Sequence, residues 1–292
     1  MSATEREIHQ QPDAWLRTPE VVASAAGVLP RDGERIAVLG CGTSWFVAQA
    51  YAGLRESAGR GWTDAVTATE LPDRGYDRVV AITRSGTTTE VLDQLRRLRG
   101  TVPTLALTAD AATPVADVAD HVVALPFADE TSVVQTLFAT TAFSVLRGSL
   151  GWDVTAVAAA ARAALAGPLP DALVPAAQWT FLGTGWSVGL ANEAALKLRE
   201  SCLAWTEAYP AMEYRHGPIS IAQPGRVVWN LGPSVPGLAD DVAATGATFV
   251  EHPDEDPLVT LVRVHRLALA VAARDGLDPD LPRNLTRSVI LS

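Results

Sequence analysis

Lys197 is the only lysine in 292 residues, standing four residues after Glu193 and three before Glu200. On a helix those positions share one face, which sets an ammonium between two carboxylates. As a solvated salt-bridge stripe, the trio would add about 0.3–0.5 kcal/mol per pair, and spacing alone favours that reading. In a cleft, the same groups would tend to have perturbed pKa values and functional roles. The surroundings favour the cleft. Apart from Asn192, Arg199 and Ser201, the rest of the segment is Ala, Leu, Val, Gly and Cys, a composition for burial, and buried charges need partners. All other cationic residues are arginine, and lysine differs in being a compact ammonium whose pKa shifts with burial. His216, in Tyr214-Arg215-His216-Gly217-Pro218, follows closely. By type it is a turn histidine; sharing a cleft with the acidic helix is the second reading.

Two other stretches could bind an anion. Gly40-Cys41-Gly42-Thr43-Ser44 and Thr83-Arg84-Ser85-Gly86-Thr87-Thr88-Thr89 each follow an apolar run and precede a helical pattern. Free backbone N–H groups and the helix dipole both attract phosphate at such junctions. The first loop lacks the third glycine of a dinucleotide fingerprint, and Thr87 with Glu90 reads as a capping box. There is no HExxH, no His/Asp metal set and no Ser-His-Asp signature, so neither a metal nor any other cofactor is expected.

The elements that must position these residues are legible. RIAVLG (35–40), RVVAIT (78–83), TLALT (104–108) and HVVALP (121–126) are short β-branched runs with amphipathic helices between them, the pattern of βαβ units and a parallel sheet. Leu39-Gly40-Cys41-Gly42-Thr43-Ser44 is echoed by Leu182-Gly183-Thr184-Gly185-Trp186-Ser187 at an offset of 143 residues, about half the chain. The echo predicts two similar α/β halves joined near the proline-rich 167–175. The lysine helix is expected from about Val188 to Trp205.

Composition narrows the function. A net charge of −10 disfavours nucleic acid and anionic membrane as partners. The most apolar run, VTAVAAAARAALAGPL, is interrupted by Arg162 and is too short to span a bilayer. Two isolated cysteines, Cys41 and Cys202, and a polar N-terminus suit a cytoplasmic protein without a signal peptide.

CGTS (41–44), TRSGTT (83–88), ETSVVQT (130–136), EAALKLRES (193–201), EAYPAMEYRHGP (207–218) and PRNLTRSV (282–289) follow one another in the order of the sugar isomerase, or SIS, family. The chain resembles the isomerase half of glucosamine-6-phosphate synthase and its free-standing ketose/aldose isomerase and amino-sugar-phosphate deaminase relatives. The resemblance implies two flavodoxin-like subdomains, each a parallel sheet flanked by helices: a helical lead-in over 1–24, one subdomain over 25–166, and a second over 167–292 with a C-terminal active-site tail. It implies a small sugar-phosphate substrate whose phosphate meets Ser44, Thr83, Ser85 and Thr88, with Thr43, Arg84, Val133 and Gln135 around the sugar. Glu200 matches the base that moves a proton between C1 and C2, with Lys197 and Glu193 as helpers. His216 matches the ring-opening residue, donated across a homodimer.

The departures matter too. The glutaminase half of the synthase is missing, so ammonia from glutamine is not expected. Arg84 replaces the usual glutamine of its loop and Thr87 the usual acidic residue. Arg287 stands where the synthase has its Schiff-base lysine, and a guanidinium cannot form that imine; Arg287 is carried instead as a substrate- or phosphate-binding residue. The expected function is isomerisation or deamination of a ketose or amino-sugar 6-phosphate without an imine; the alternative is a non-catalytic sugar-phosphate-binding regulator.

Overall fold

The computed structural model describes residues 1–291. They form two compact units, each around its own parallel sheet. The first comprises Gln10–Thr155 with the tail from Thr286; the second comprises Met1–His9 and Ala156–Leu285. These divisions differ from the boundaries drawn on sequence, which fell at 24/25 and 166/167 and left the tail with the second half.

Helices α1 (Ala3–Trp15) and α2 (Thr18–Ala25) precede β1 (Ile36–Gly40), α3 (Thr43–Ser57), β2 (Thr63–Thr67), β3 (Arg78–Ile82), α4 (Thr89–Leu98), β4 (Thr104–Thr108), β5 (His121–Ala124) and α5 (Leu137–Gly148). The strands pair in parallel in the order β2-β1-β3-β4-β5, the doubly wound order of flavodoxin-like sheets. In the second unit come α6 (Thr155–Ala166), β6 (Gln178–Gly183), α7 (Ser187–Cys202), β7 (Thr206–Pro210), β8 (Arg226–Leu231), α8 (Leu238–Ala244), β9 (Thr248–Glu251) and α9 (Pro257–Arg274). Its order, β7-β6-β8-β9, repeats the first four places of that winding. Both sheets are thus flavodoxin-like α/β layers, as the sequence pattern implies.

Strands β1, β3 and β4 are buried along their whole length, which is why they read as continuous apolar runs: helices cover both faces. Ala37, Leu39, Val79, Ala81 and Ala106 pack with Val91, Leu92 and Leu95 from α4. Each buried Val or Leu contributes about 1.5–3 kcal/mol relative to exposure. Strands β2, β7 and β9 carry polar residues on half-buried positions and lie at sheet edges, so no apolar run marks them.

The sequence echo has a physical cause. A Cβ on Gly40 would lie 2.6 Å from the backbone carbon of Ser44, and one on Gly183 would lie 2.5 Å from that of Ser187. The second glycine of each pair, Gly42 or Gly185, has φ of +54° or +59°, where side chains are strained. One glycine therefore admits the helix close to the strand end, and the other turns the chain into it. Helix α7 stops at Cys202, three residues before the expected end, because Leu203 adopts φ +56°. Its N–H and that of Ala204 fold back onto the carbonyls of Arg199 and Leu198, closing the helix.

Candidate active site

In the first unit, the β1–α3 and β3–α4 junctions converge on a small pocket. Ser44, Thr83, Arg84, Ser85, Thr88, Gln135 and Arg287 line it, along with Cys41. Of the remaining sequence-expected binding residues, Thr43 is buried at the start of α3 and Val133 is half-buried, and neither lines the pocket. Thr83 Oγ1 and Gln135 Oε1 are buried there without a hydrogen-bond partner. Buried polar atoms are nearly always paired; the Thr83 hydroxyl, which can donate, together with the helix N-termini suits an oxyanion, whereas the Gln135 oxygen calls for a donor. Cys41, which sequence reasoning did not assign to the site, has its thiol pushed up by burial, so it is a neutral wall rather than a nucleophile.

One expectation changes here. Thr87 does not cap α4: the helix starts at Thr89, Thr88 sits at its N-cap, and no side chain accepts from its first turn. Thr87 instead donates from Oγ1 to Ser288 Oγ at 2.9 Å. Arg84 lines the pocket and is also tied into the protein. Its guanidinium is buried, lies 3.6 Å from the Glu130 carboxylate, and donates to the carbonyls of Ser132 at 2.8 Å and Arg287 at 3.0 Å. Glu130 also accepts from the backbone N–H groups of Thr136 and Leu137, each at 2.6 Å, holding the start of α5. Arg84 thus ties three segments together. Glu130 belongs to the motif ETSVVQT, but nothing local marks it as the partner of an arginine 46 residues earlier.

In the second unit, the matching junction is closed on itself. Ser187 Oγ accepts from the Thr184 N–H at 2.8 Å and donates to its carbonyl at 3.0 Å, so this hydroxyl caps a turn. The lysine helix behaves otherwise. Lys197 and Glu193 are buried, with Nζ 3.3 Å from Glu193 Oε1, and Nζ also bonds Glu200 Oε2 closely. The side chain of Glu200 keeps 18% of its surface, against 2% for Glu193. One ammonium therefore serves two carboxylates, of which only the outer one reaches solvent. This is not the solvated stripe that spacing alone favours. Burial pulls the adjacent Arg199 guanidinium down, while Glu200 and Glu193 hold it up.

His216 lies exposed in the turn after β7, its backbone N–H bonded to the Glu213 carbonyl at 2.9 Å. Among the described residues, no hydrogen bond or ion pair joins it to Lys197 or Glu200 within the chain. A histidine that sequence reasoning missed does meet the trio's field. His265 on α9 is fully buried, and burial together with the Lys197 charge drives its pKa down to about 3. It is a neutral imidazole beside the ammonium; on sequence it is one more residue of an apolar helix. Among the described residues no group of three His, Cys, Asp or Glu could hold a metal ion, and no helix is long and apolar enough to cross a membrane.

A doubly wound parallel sheet with a hydroxyl-lined pocket at its strand ends makes this an α/β protein of flavodoxin-like winding. Residues 31–146 match the SIS domain. It is 30% identical to the glutamine–fructose-6-phosphate aminotransferase (isomerizing) of Aeropyrum pernix over 97% of its own length and 56% of that protein. The chain therefore spans about half the length of the curated relatives it matches. Its fold superposes on glucosamine-6-phosphate deaminase from Thermotoga maritima with a TM-score of 0.84 at 22% identity, covering 99% of this chain and all of that one. Tagatose-6-phosphate ketose/aldose isomerase from Escherichia coli gives 0.81 at 19% identity, over 99% of this chain and 96% of the other.

Proposed function

We propose that this chain is a phosphosugar enzyme that moves a proton between C1 and C2 of a ketose or amino-sugar 6-phosphate, as an aldose–ketose isomerase or a deaminase. The observation that carries this reading is the buried Lys197 held between Glu193 and the partly exposed Glu200. Glu200, the outer carboxylate, is the base. Abstraction of a proton from carbon next to a carbonyl builds negative charge on the enediolate oxygen, and a desolvated ammonium stabilises that charge far better than water would. Glu193 keeps Lys197 charged and oriented when Glu200 takes up its proton. Returning the proton to the neighbouring carbon completes isomerisation; for an amino sugar, the same protonation of the enolamine gives a C2 imine, and solvent water adds to it and releases ammonia to complete deamination.

The phosphate is assigned to Ser44, Thr83, Ser85 and Thr88, with Gln135 and Arg287 at the same pocket. Thr43, Arg84 and Val133 are assigned, with Gln135, around the sugar. Fixing the phosphate converts the encounter into a positioned reaction. Arg287 supports chemistry without an imine, since a guanidinium remains protonated. The exposure of His216 supports its assignment as a ring-opening residue offered to a second subunit of a homodimer. Two free cysteines agree with a cytoplasmic setting.

The test is solvent exchange. Protein is incubated in deuterated water with fructose 6-phosphate, tagatose 6-phosphate and their amino-sugar counterparts, and deuterium at C1 and C2 is read by NMR. Exchange with at least one sugar is expected, falling by about 10²–10⁴-fold in Glu200→Gln. Absence of exchange with every sugar would overturn the reading, as would undiminished exchange in the variant.

A further inference from the structure

The C-terminal tail meets the anion pocket through two separable sets of bonds. Its backbone is anchored without help from the Arg287 side chain. Arg84 donates to the Arg287 carbonyl at 3.0 Å, the Thr89 N–H donates to the Val289 carbonyl at 3.2 Å, and the Leu291 N–H donates to Thr89 Oγ1 at 2.9 Å. Ser288 is held by Thr87. The Arg287 guanidinium is held differently, by the Asp129 carboxylate and the Glu130 carbonyl.

The two guanidiniums at the pocket also differ in freedom. The side chain of Arg84 is 2% exposed and committed to the buried Glu130. That of Arg287 is 39% exposed, and its partner Asp129 is 47% exposed. An ion pair between groups this wet holds weakly. A phosphate carries about 1.5–2 negative charges and three acceptor oxygens against one charge on Asp129, and arginine takes phosphate through two parallel N–H bonds.

We propose that Asp129 is a positioning residue that competes with the ligand's phosphate for Arg287. Asp129 holds the guanidinium at the pocket when no anion is there, and a dianionic phosphate draws it away while the tail backbone stays anchored. The cost of breaking the Arg287–Asp129 pair lowers phosphate affinity and so favours release. This inference rests on the reading of the pocket as a phosphate site.

The experiment titrates inorganic phosphate into the full-length protein by calorimetry at fixed ionic strength, comparing wild type, Ser85→Ala, Asp129→Asn, Arg287→Ala and the Arg287→Ala/Asp129→Asn double variant. Asp129→Asn is expected to bind phosphate about 2- to 5-fold more tightly, the size of an exposed pair. Arg287→Ala is expected to bind more weakly than wild type, and the double variant to match Arg287→Ala. Structural damage would not tighten binding. If Asp129→Asn binds no more tightly than wild type, or tightens equally when Arg287 is absent, competition is overturned while the phosphate site stands. If neither wild type nor any variant binds phosphate, or if Ser85→Ala binds as wild type does, the phosphate reading falls and this inference with it.

Discussion

Replacing Lys197 with methionine keeps most of the side-chain volume and removes the ammonium. In the wild type that ammonium lies 3.3 Å from Glu193, whose side chain is 2% exposed, and bonds Glu200 on its other side. Stripping one partner from a buried ion pair costs about 3–5 kcal/mol, because the remaining charge is left desolvated. Here two carboxylates would remain, facing each other, so the variant has a cheaper course: one of them takes up a proton. That carboxyl then has a folded-state pKa above its unfolded value. Its contribution is fully present below pH about 4.5 and is lost as pH rises through the raised value, at about 1.4 kcal/mol per pH unit. Lys197→Met should therefore unfold close to wild type at pH 5 and fall behind it by about 3 kcal/mol or more at pH 8. Urea unfolding followed by tryptophan fluorescence at pH 5, 6, 7 and 8 reads this directly. Adding Glu193→Gln should restore most of the loss at pH 8, since it removes the charge that lysine offset. Equal stability of variant and wild type at pH 8, or a loss of the same size at every pH, would refute the account of a buried ammonium shared by two ionised carboxylates.

Arg84→Gln leaves the buried Glu130 carboxylate without its guanidinium and should cost about 3–5 kcal/mol in urea unfolding. Arg84→Gln/Glu130→Gln should recover part of this, because the amide oxygen can still accept from Thr136 and Leu137. His265, whose pKa is driven down to about 3, must bind a proton on unfolding at mildly acid pH. It should cost stability as pH falls below about 6.5, at about 1.4 kcal/mol per unit. His265→Gln should remove that slope, so that the stability difference between wild type and variant shifts by about 2–3 kcal/mol between pH 6.5 and 4.5; an unchanged difference would count against a neutral buried imidazole.

Elements that fill both faces of a sheet announced themselves. β1, β3 and β4 stand within a residue of the apolar runs read from sequence, since burial on both faces leaves no polar alternation to blur them. β2, β7 and β9 escaped notice because an edge strand keeps one side near water and carries polar residues there. The capping box at Thr87 failed because a tail 201 residues away competes for the same hydroxyl. Local propensity cannot register a distant acceptor. At the pocket, the hydroxyl loops were legible from glycine and threonine spacing, whereas nothing local marked Cys41 as part of its wall or Asp129 and Glu130 as partners of distant arginines.

What the sequence by itself determined is what neighbours along the chain decide: the glycine pairs that bring a helix against a strand end, the parallel α/β winding, and the one-face spacing of Glu193, Lys197 and Glu200. Whether that spacing meant a surface stripe or a buried cluster was decided only by tertiary structure. Packing leaves Glu193 and Lys197 almost no exposed surface and leaves Glu200 some. Charge–charge energies depend on the surrounding dielectric far more than on separation along a helix, and that dielectric is set by everything packed around it. Arg84 makes the same point: besides lining the pocket, it pairs with a buried carboxylate that no local rule connects to it.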